Sequence, residues 1–160
     1  MGEVQKGKAL LRSGAKENDL IYVSGIIGDA FLQLRELQKS QNQDTGFDAY
    51  LHPKAQIALG LELIDIANSA IDISDGFLQD LQHLSEASEI GFNLDKATIP
   101  IARGILFQDA VMCGDDYQIL FTIPISKISA AQIEFRRRKM DLHIIGKAIS
   151  NKKLLLDNKE

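Results

Sequence analysis

Apolar residues recur along this chain in two rhythms. "DLIYVSG", Asp19 to Gly25, is a β-rich run closed by glycine and predicts a strand. "GDAFLQLRELQKSQ" follows, with Phe31, Leu34 and Leu37/Gln38 at helical spacing. Gly28-Asp29 opens that helix, its acid favourably placed at the N-terminus. "NQDTGFDAY", Asn42 to Tyr50, is polar and predicts a loop. Pro53 then starts a second helix with Ile57, Ala58, Leu61 and Ile64 as its apolar stripe. Ala70 to Ile73 is short and β-branched, a strand. After Gly76, Phe77, Leu81 and Leu84 fall at i, i+4 and i+7, a helix running to about Ile90.

Beyond that helix strands dominate. "GFNLDKATIP" predicts a strand and turn, and Gln118 to Pro124 a strand with alternating Ile119, Phe121 and Ile123. Ser126 to Met140 predicts a helix capped by Ser126. "LHIIGKAIS" and "KLLLD" predict two strands joined by a turn at Ser150-Asn151. The order gives a mixed β-sheet covered by helices, in an α/β (α+β) arrangement.

Composition narrows this only a little. The 160 residues suit one domain spanning 1–160, and 45% hydrophobic with 25% charged residues is ordinary globular usage. A formal net charge of −4 gives no reason to expect nucleic acid or an anionic membrane as partner. The basic run Arg136-Arg137-Arg138-Lys139 lies in a helical segment and reads as a solvated face. A lone Cys113 excludes an internal disulfide framework and a cysteine-rich zinc site, and points to a reducing cytoplasm. The start has no apolar core for a signal peptide, and Lys6 stands where a myristoylation motif wants Ser or Thr. No apolar run approaches the roughly 20 residues that span a bilayer. The expectation is a soluble protein.

Candidate chemistry sits in two acid-bearing stretches, "AIDISDGFLQDLQHL" and "CGDDYQILFTIP". In Ser74-Asp75-Gly76 a strand-end acid meets a glycine and a helix start. The helix N-terminus suits a phosphate, and Asp75 offers hard oxygen to Mg²⁺. Gly76 permits close backbone approach. A plain helix cap by Ser74 or Asp75 explains the same residues. Gly114-Asp115-Asp116-Tyr117 is likewise either a cation site or a solvated turn. Asp72 is expected to face water. "SGIIGD" is not a P-loop, because no Gly-Lys-Ser/Thr follows. His52, His83 and His143 have no metal-ligand spacing, and nothing near Cys113 would make it a nucleophile.

Taken together, "IDISDGFLQDLQHLSEASEIGFNLD" and "CGDDYQILFTIP" resemble the C-terminal domain of the thiamine-monophosphate kinases. These are part of the aminoimidazole ribonucleotide synthetase-like superfamily. The upstream "RSGAKENDLIYVSGIIGDAFLQL" is similar to the same family, so the resemblance runs from about Arg12 to Asp157. It implies a fold of that superfamily and an ATP-dependent transfer of phosphate to thiamine monophosphate, giving thiamine diphosphate. It implies Mg²⁺ at Asp75, with Ser74, Gly76, Asp115, Asp116 and Tyr117 on the substrate side and no side chain as a catalytic group. ATP is the co-substrate, its site mostly on an N-terminal domain that this chain lacks.

The partners implied are a homodimer or a separate N-terminal ATP-binding domain. The chain also departs from the family pattern. His52 and Gln56 stand where it has arginines, Ala55 where it has proline and Asp115 where Glu is common. No aromatic tail follows "LLLDNKE". The isolated chain is therefore expected to be inactive. The alternatives are a non-catalytic remnant serving binding or dimerisation, or another superfamily enzyme such as aminoimidazole ribonucleotide synthetase.

Overall fold

The computed structural model describes residues 3–39, 46 and 48–159. The Met1-Gly2 start and most of the polar stretch before Asp48 lie outside the described residues. Six strands form one sheet: β1 (Leu20–Ser24), β2 (Ser69–Asp72), β3 (Gly91–Leu94), β4 (Ile119–Ile123), β5 (Leu142–Ile149) and β6 (Leu154–Leu156). The helices are α1 (Asp29–Lys39), α2 (Asp48–Leu51), α3 (Ile57–Leu63), α4 (Phe77–Ser88), α5 (Phe107–Met112) and α6 (Ile128–Arg137). The sheet order is β2-β4-β1-β5-β3-β6. Every pairing is antiparallel except β3 with β6.

Side chains alternate along the strands and so build two cores, one on each face. Ile21 and Val23 of β1 join Leu120 of β4 and the α4 stripe Phe77, Leu81 and Leu84. Tyr22, between them, joins Phe121, Ile123, Leu59 and Leu63 of α3, and Ala131 and Phe135 of α6. The mixed, helix-covered sheet is the architecture that the residue pattern predicts.

Several local expectations fail, each for a physical reason. The helix after Pro53 begins only at Ile57, and it buries Leu59 and Leu63 rather than the expected stripe. Ile57 and Leu61 are 70% and 64% exposed. "IALGLELI" is apolar nearly all round, so periodicity cannot choose its face and sheet contacts decide. Ser126 caps nothing. Pro124, with φ −66°, opens a 3₁₀ turn over Ile125–Lys127, and α6 starts after it without a side-chain cap. The segment holding α5 was not read as a helix, being too short for a periodic signal. The two closing strands form as expected, β5 and β6 with the turn between them, and β3 lies between them in the sheet.

The topology gathers the functional loops. Ser24 faces Leu142 across β1 and β5, and Asp72 faces Ile119 across β2 and β4. The C-terminal ends of β1 and β2 and the N-terminal ends of β4 and β5 therefore lie on one rim.

Candidate functional site

Both acid-bearing stretches meet on this rim, the first leaving β2 and the second entering β4. The two run past each other in direct backbone contact. Asp115 N donates to Ser74 O (3.0 Å), Tyr117 N to Ile73 O (2.9 Å) and Ile73 N to Gln118 O (2.8 Å). Two glycines make the approach possible. A Cβ on Gly114 would lie 2.2 Å from Ser74 O, and one on Gly76 2.9 Å from Met112 O. Gly76 also has φ +130°, a conformation that side chains resist. Asp115 and Tyr117, with φ +69° and +48°, occupy the left-handed region at roughly 1–2 kcal/mol each.

Asp75 is exposed at the lip of the rim. Among the described residues its carboxylate accepts from Ser74 Oγ (3.2 Å) and Gln79 Nε2 (3.4 Å). Tyr117 Oη donates to Asp115 Oδ1 (3.3 Å). The Tyr117 hydroxyl is pushed above its ordinary pKa, first by the Asp115 charge and also by Asp72 and Asp75. Asp72 is exposed, as expected.

Asp80 was not singled out in the sequence, yet it holds this loop. It is buried, and its Oδ2 accepts from the amides of Ser74 (3.0 Å), Asp75 (3.0 Å) and Gly76 (3.2 Å). Those three amides turn inward and are not available to a phosphate. The available signal was an acid in the first turn of the helix after Ser-Asp-Gly.

Asp116 points away from the lip. It is buried, and its carboxylate accepts from Gly28 N (2.8 Å) and Ala30 N (3.4 Å) where α1 begins. Burial outweighs those bonds and lifts its pKa from 3.8 to about 6. The glycine-rich turn before α1 therefore receives a carboxylate from its own chain. Asp116 also lines a cleft of about 370 Å³ together with Asp29, His52, Lys54, Gln56 and Gln118. There Ser24 Oγ donates to Gln118 Oε1 (2.7 Å), Gln56 Nε2 reaches the same oxygen (3.3 Å), and Ile119 N donates to Ser24 Oγ (2.8 Å). Ser24 and Gln118 are further site residues that sequence reasoning missed. No motif flags them.

Asp75, Asp80 and His83 each bring one ligand atom within 4.8 Å of the others. One Asp80 oxygen is already committed to three amides, and its other lies 3.9 Å from His83 Nδ1. The donor set thus fits a hard cation through Asp75, whose oxygens are exposed and weakly bound, better than a closed three-ligand site. Cys113 keeps an unreactive thiol, its pKa raised by burial and then by Asp109 and Asp116.

No protein-family model matches the chain. The fold is nonetheless that of the aminoimidazole ribonucleotide synthetase-like class. The hydrogenase maturation protein HypE of E. coli, at 16% identity and a TM-score of 0.73, matches 97% of the chain and shows this fold alone. Within the class, the chain is similar to the thiamine-monophosphate kinases. It is 39% identical over 137 residues to that of Escherichia coli O157:H7, covering 77% of this chain and 42% of the relative. The crystal structure of the Stenotrophomonas maltophilia K279a kinase matches 98% of this chain and 55% of its own, with 30% identity and a TM-score of 0.88. AaThiL complexed with AMPPCP and TMP matches 94% of this chain and 51% of its own, at 26% identity and a TM-score of 0.78. The chain thus spans about half the length of the curated relatives it matches. Among the described residues no helix is long and apolar enough to cross a membrane.

Proposed function

We propose that this chain supplies the substrate side of an ATP-dependent thiamine-monophosphate kinase. That enzyme moves the γ-phosphoryl group of ATP onto the phosphate of thiamine monophosphate, leaving thiamine diphosphate and ADP. One observation carries the reading. In a chain similar to those kinases, the Ser-Asp-Gly turn and the Gly-Asp-Asp-Tyr loop are joined backbone to backbone on one rim, with the Asp75 carboxylate exposed at its lip.

In this reading Asp75 holds Mg²⁺, which when bound offsets the charge of two phosphates that must meet. Ser74 and Gly76 set the Asp75 backbone, and Asp80 fixes all three through their amides. Asp115 and Tyr117 line the substrate side. Asp116 joins the same loop to α1 and walls the adjoining cleft. Catalysis is then positioning and charge stabilisation, with no covalent task for a side chain. The ATP site belongs to an N-terminal domain, on this chain's own longer form or on a separate partner. The 160 residues alone transfer no phosphate.

A second reading, a non-catalytic remnant, draws on the cleft. His52 and Gln56 occupy it where the kinase pattern has arginines, and Gln56 is spent on Gln118. Calorimetric titration of thiamine monophosphate, with Mg²⁺ and then with chelator, separates the two. The kinase reading expects magnesium-dependent binding, weakened about tenfold or more in Asp75→Asn. Absence of binding in every condition favours the remnant, and preference for a purine ribonucleotide favours another enzyme of the superfamily.

A further inference from the structure

Where the cleft beside Asp116 meets the rim, one hydroxyl and two side-chain amides form a directed chain of hydrogen bonds. Ile119 N donates to Ser24 Oγ (2.8 Å), which leaves the Ser24 proton for Gln118 Oε1 at 2.7 Å, the separation of an O–H···O bond. Gln56 Nε2 donates to the same oxygen (3.3 Å). Flipping either amide alone would set two N–H groups or two lone pairs face to face. Gly25 makes room for this pair. Its φ is +57°, and a Cβ there would lie 2.6 Å from the Gln118 amide carbon.

Two atoms are left over. Gln118 Nε2 and Gln56 Oε1 have no hydrogen-bond partner among the described residues. Nor are they enclosed, since the buried side-chain polar atoms without a partner are Tyr22 Oη and His143 Nε2. Both glutamines line the cleft of about 370 Å³ and a second of about 560 Å³ that runs toward Leu59 and Met140. The free donor and the free acceptor therefore open onto the space where the two clefts join.

A donor beside an acceptor complements a ring nitrogen beside an amino group. The surrounding charge agrees. Asp29, Asp48, Asp116 and Asp141 line the first cleft against Lys54 and His52, which favours a neutral or cationic ring there over a phosphate. Gln118 O also accepts from Ile73 N (2.8 Å), two residues before Asp75. The amide pair thus stands close to the rim where phosphate and Mg²⁺ would meet.

We propose that Gln118 and Gln56 select the organic half of the substrate. They bind an amino-substituted nitrogen heterocycle by the edge that carries a ring nitrogen and the adjacent amino group. Resting on the kinase reading, that edge belongs to the aminopyrimidine of thiamine monophosphate. Gln118 Nε2 donates to the ring nitrogen, and Gln56 Oε1 accepts from the amino group.

The test is calorimetric titration of the chain, in Mg²⁺, with thiamine monophosphate and with oxythiamine monophosphate. The second compound has an oxo group in place of the amino group and a proton on the ring nitrogen, so the edge is reversed while phosphate and thiazolium are kept. Thiamine monophosphate should bind at least about tenfold tighter, and Gln118→Met should reduce that preference to about twofold or less. Gln56→Met, which leaves the Ser24–Gln118 bond in place, should also reduce it, so the outcome does not hang on the folding of one variant. Equal affinity of the two compounds, or a preference that survives in both variants, overturns the assignment and leaves the kinase reading standing. Binding of neither compound overturns both. Adenosine and inosine monophosphates carry the same reversal on a purine. Discrimination between those two, with none between the thiamine pair, overturns the assignment as well.

Discussion

Asp116 shows how one carboxylate can serve structure at a standing cost. It satisfies two amides where α1 begins, yet burial holds its pKa near 6. The folded form therefore binds this proton more tightly than the unfolded chain does. The sign follows from that difference: stability is greatest below about pH 4 for this group and falls as pH rises from there to about 6, by roughly 3 kcal/mol. Asp116→Asn keeps an oxygen for Gly28 N, gives up the longer bond from Ala30 N, and removes the buried charge. Urea unfolding at pH 4.5 and 7.5 should show a smaller stability difference between the two pH values for the variant than for the parent. An unchanged pH difference would assign the proton elsewhere. At this scale the sequence marked Ser74, Asp75 and Gly76 but not Asp80, because a buried loop-closing acid and an exposed helical acid look alike in one dimension. Ser24 and Gln118 were invisible for a related reason. Their pairing depends on a register 94 residues apart in the chain.

Among the elements, α3 offers the sharpest test. Leu63 is fully buried against Phe121 and its neighbours, whereas Leu61 is 64% exposed. Leu63→Ala should cost about 3 kcal/mol in denaturant unfolding, and Leu61→Ala well under 1 kcal/mol. Equal costs would restore the face that the sequence pattern implied. Elements with one apolar face were legible from sequence. α4, with Phe77, Leu81 and Leu84, and β1, alternating about Tyr22, formed where the pattern put them. Elements apolar on every side, or only one turn long, were not, since tertiary contact and not periodicity decides them.

At the scale of the whole molecule, several large apolar side chains are left exposed by the described residues. Ile57, Leu61, Ile125 and Ile133 are exposed on the α3 and α6 side of the sheet, as are Leu106 just before α5 and Met112 at its end. Relatives about twice as long have further chain with which to cover such a surface. We expect the isolated chain to associate with itself, giving a concentration-dependent mass in light scattering. A monomer at high concentration would show that these residues tolerate water. The sheet order itself came from neither composition nor motif, because strand pairing links segments that local rules treat separately.

The crossing of Gly114 over Ser74 has a mechanical consequence. No side chain separates the two loops, so neither has slack with respect to the other. A displacement of Asp75 must carry Asp115 with it, and the rim moves as one stiff body. Any residue larger than glycine at position 114 would pry the pair apart like a wedge, undoing the alignment of both acids at once while leaving every carboxylate in the sequence untouched.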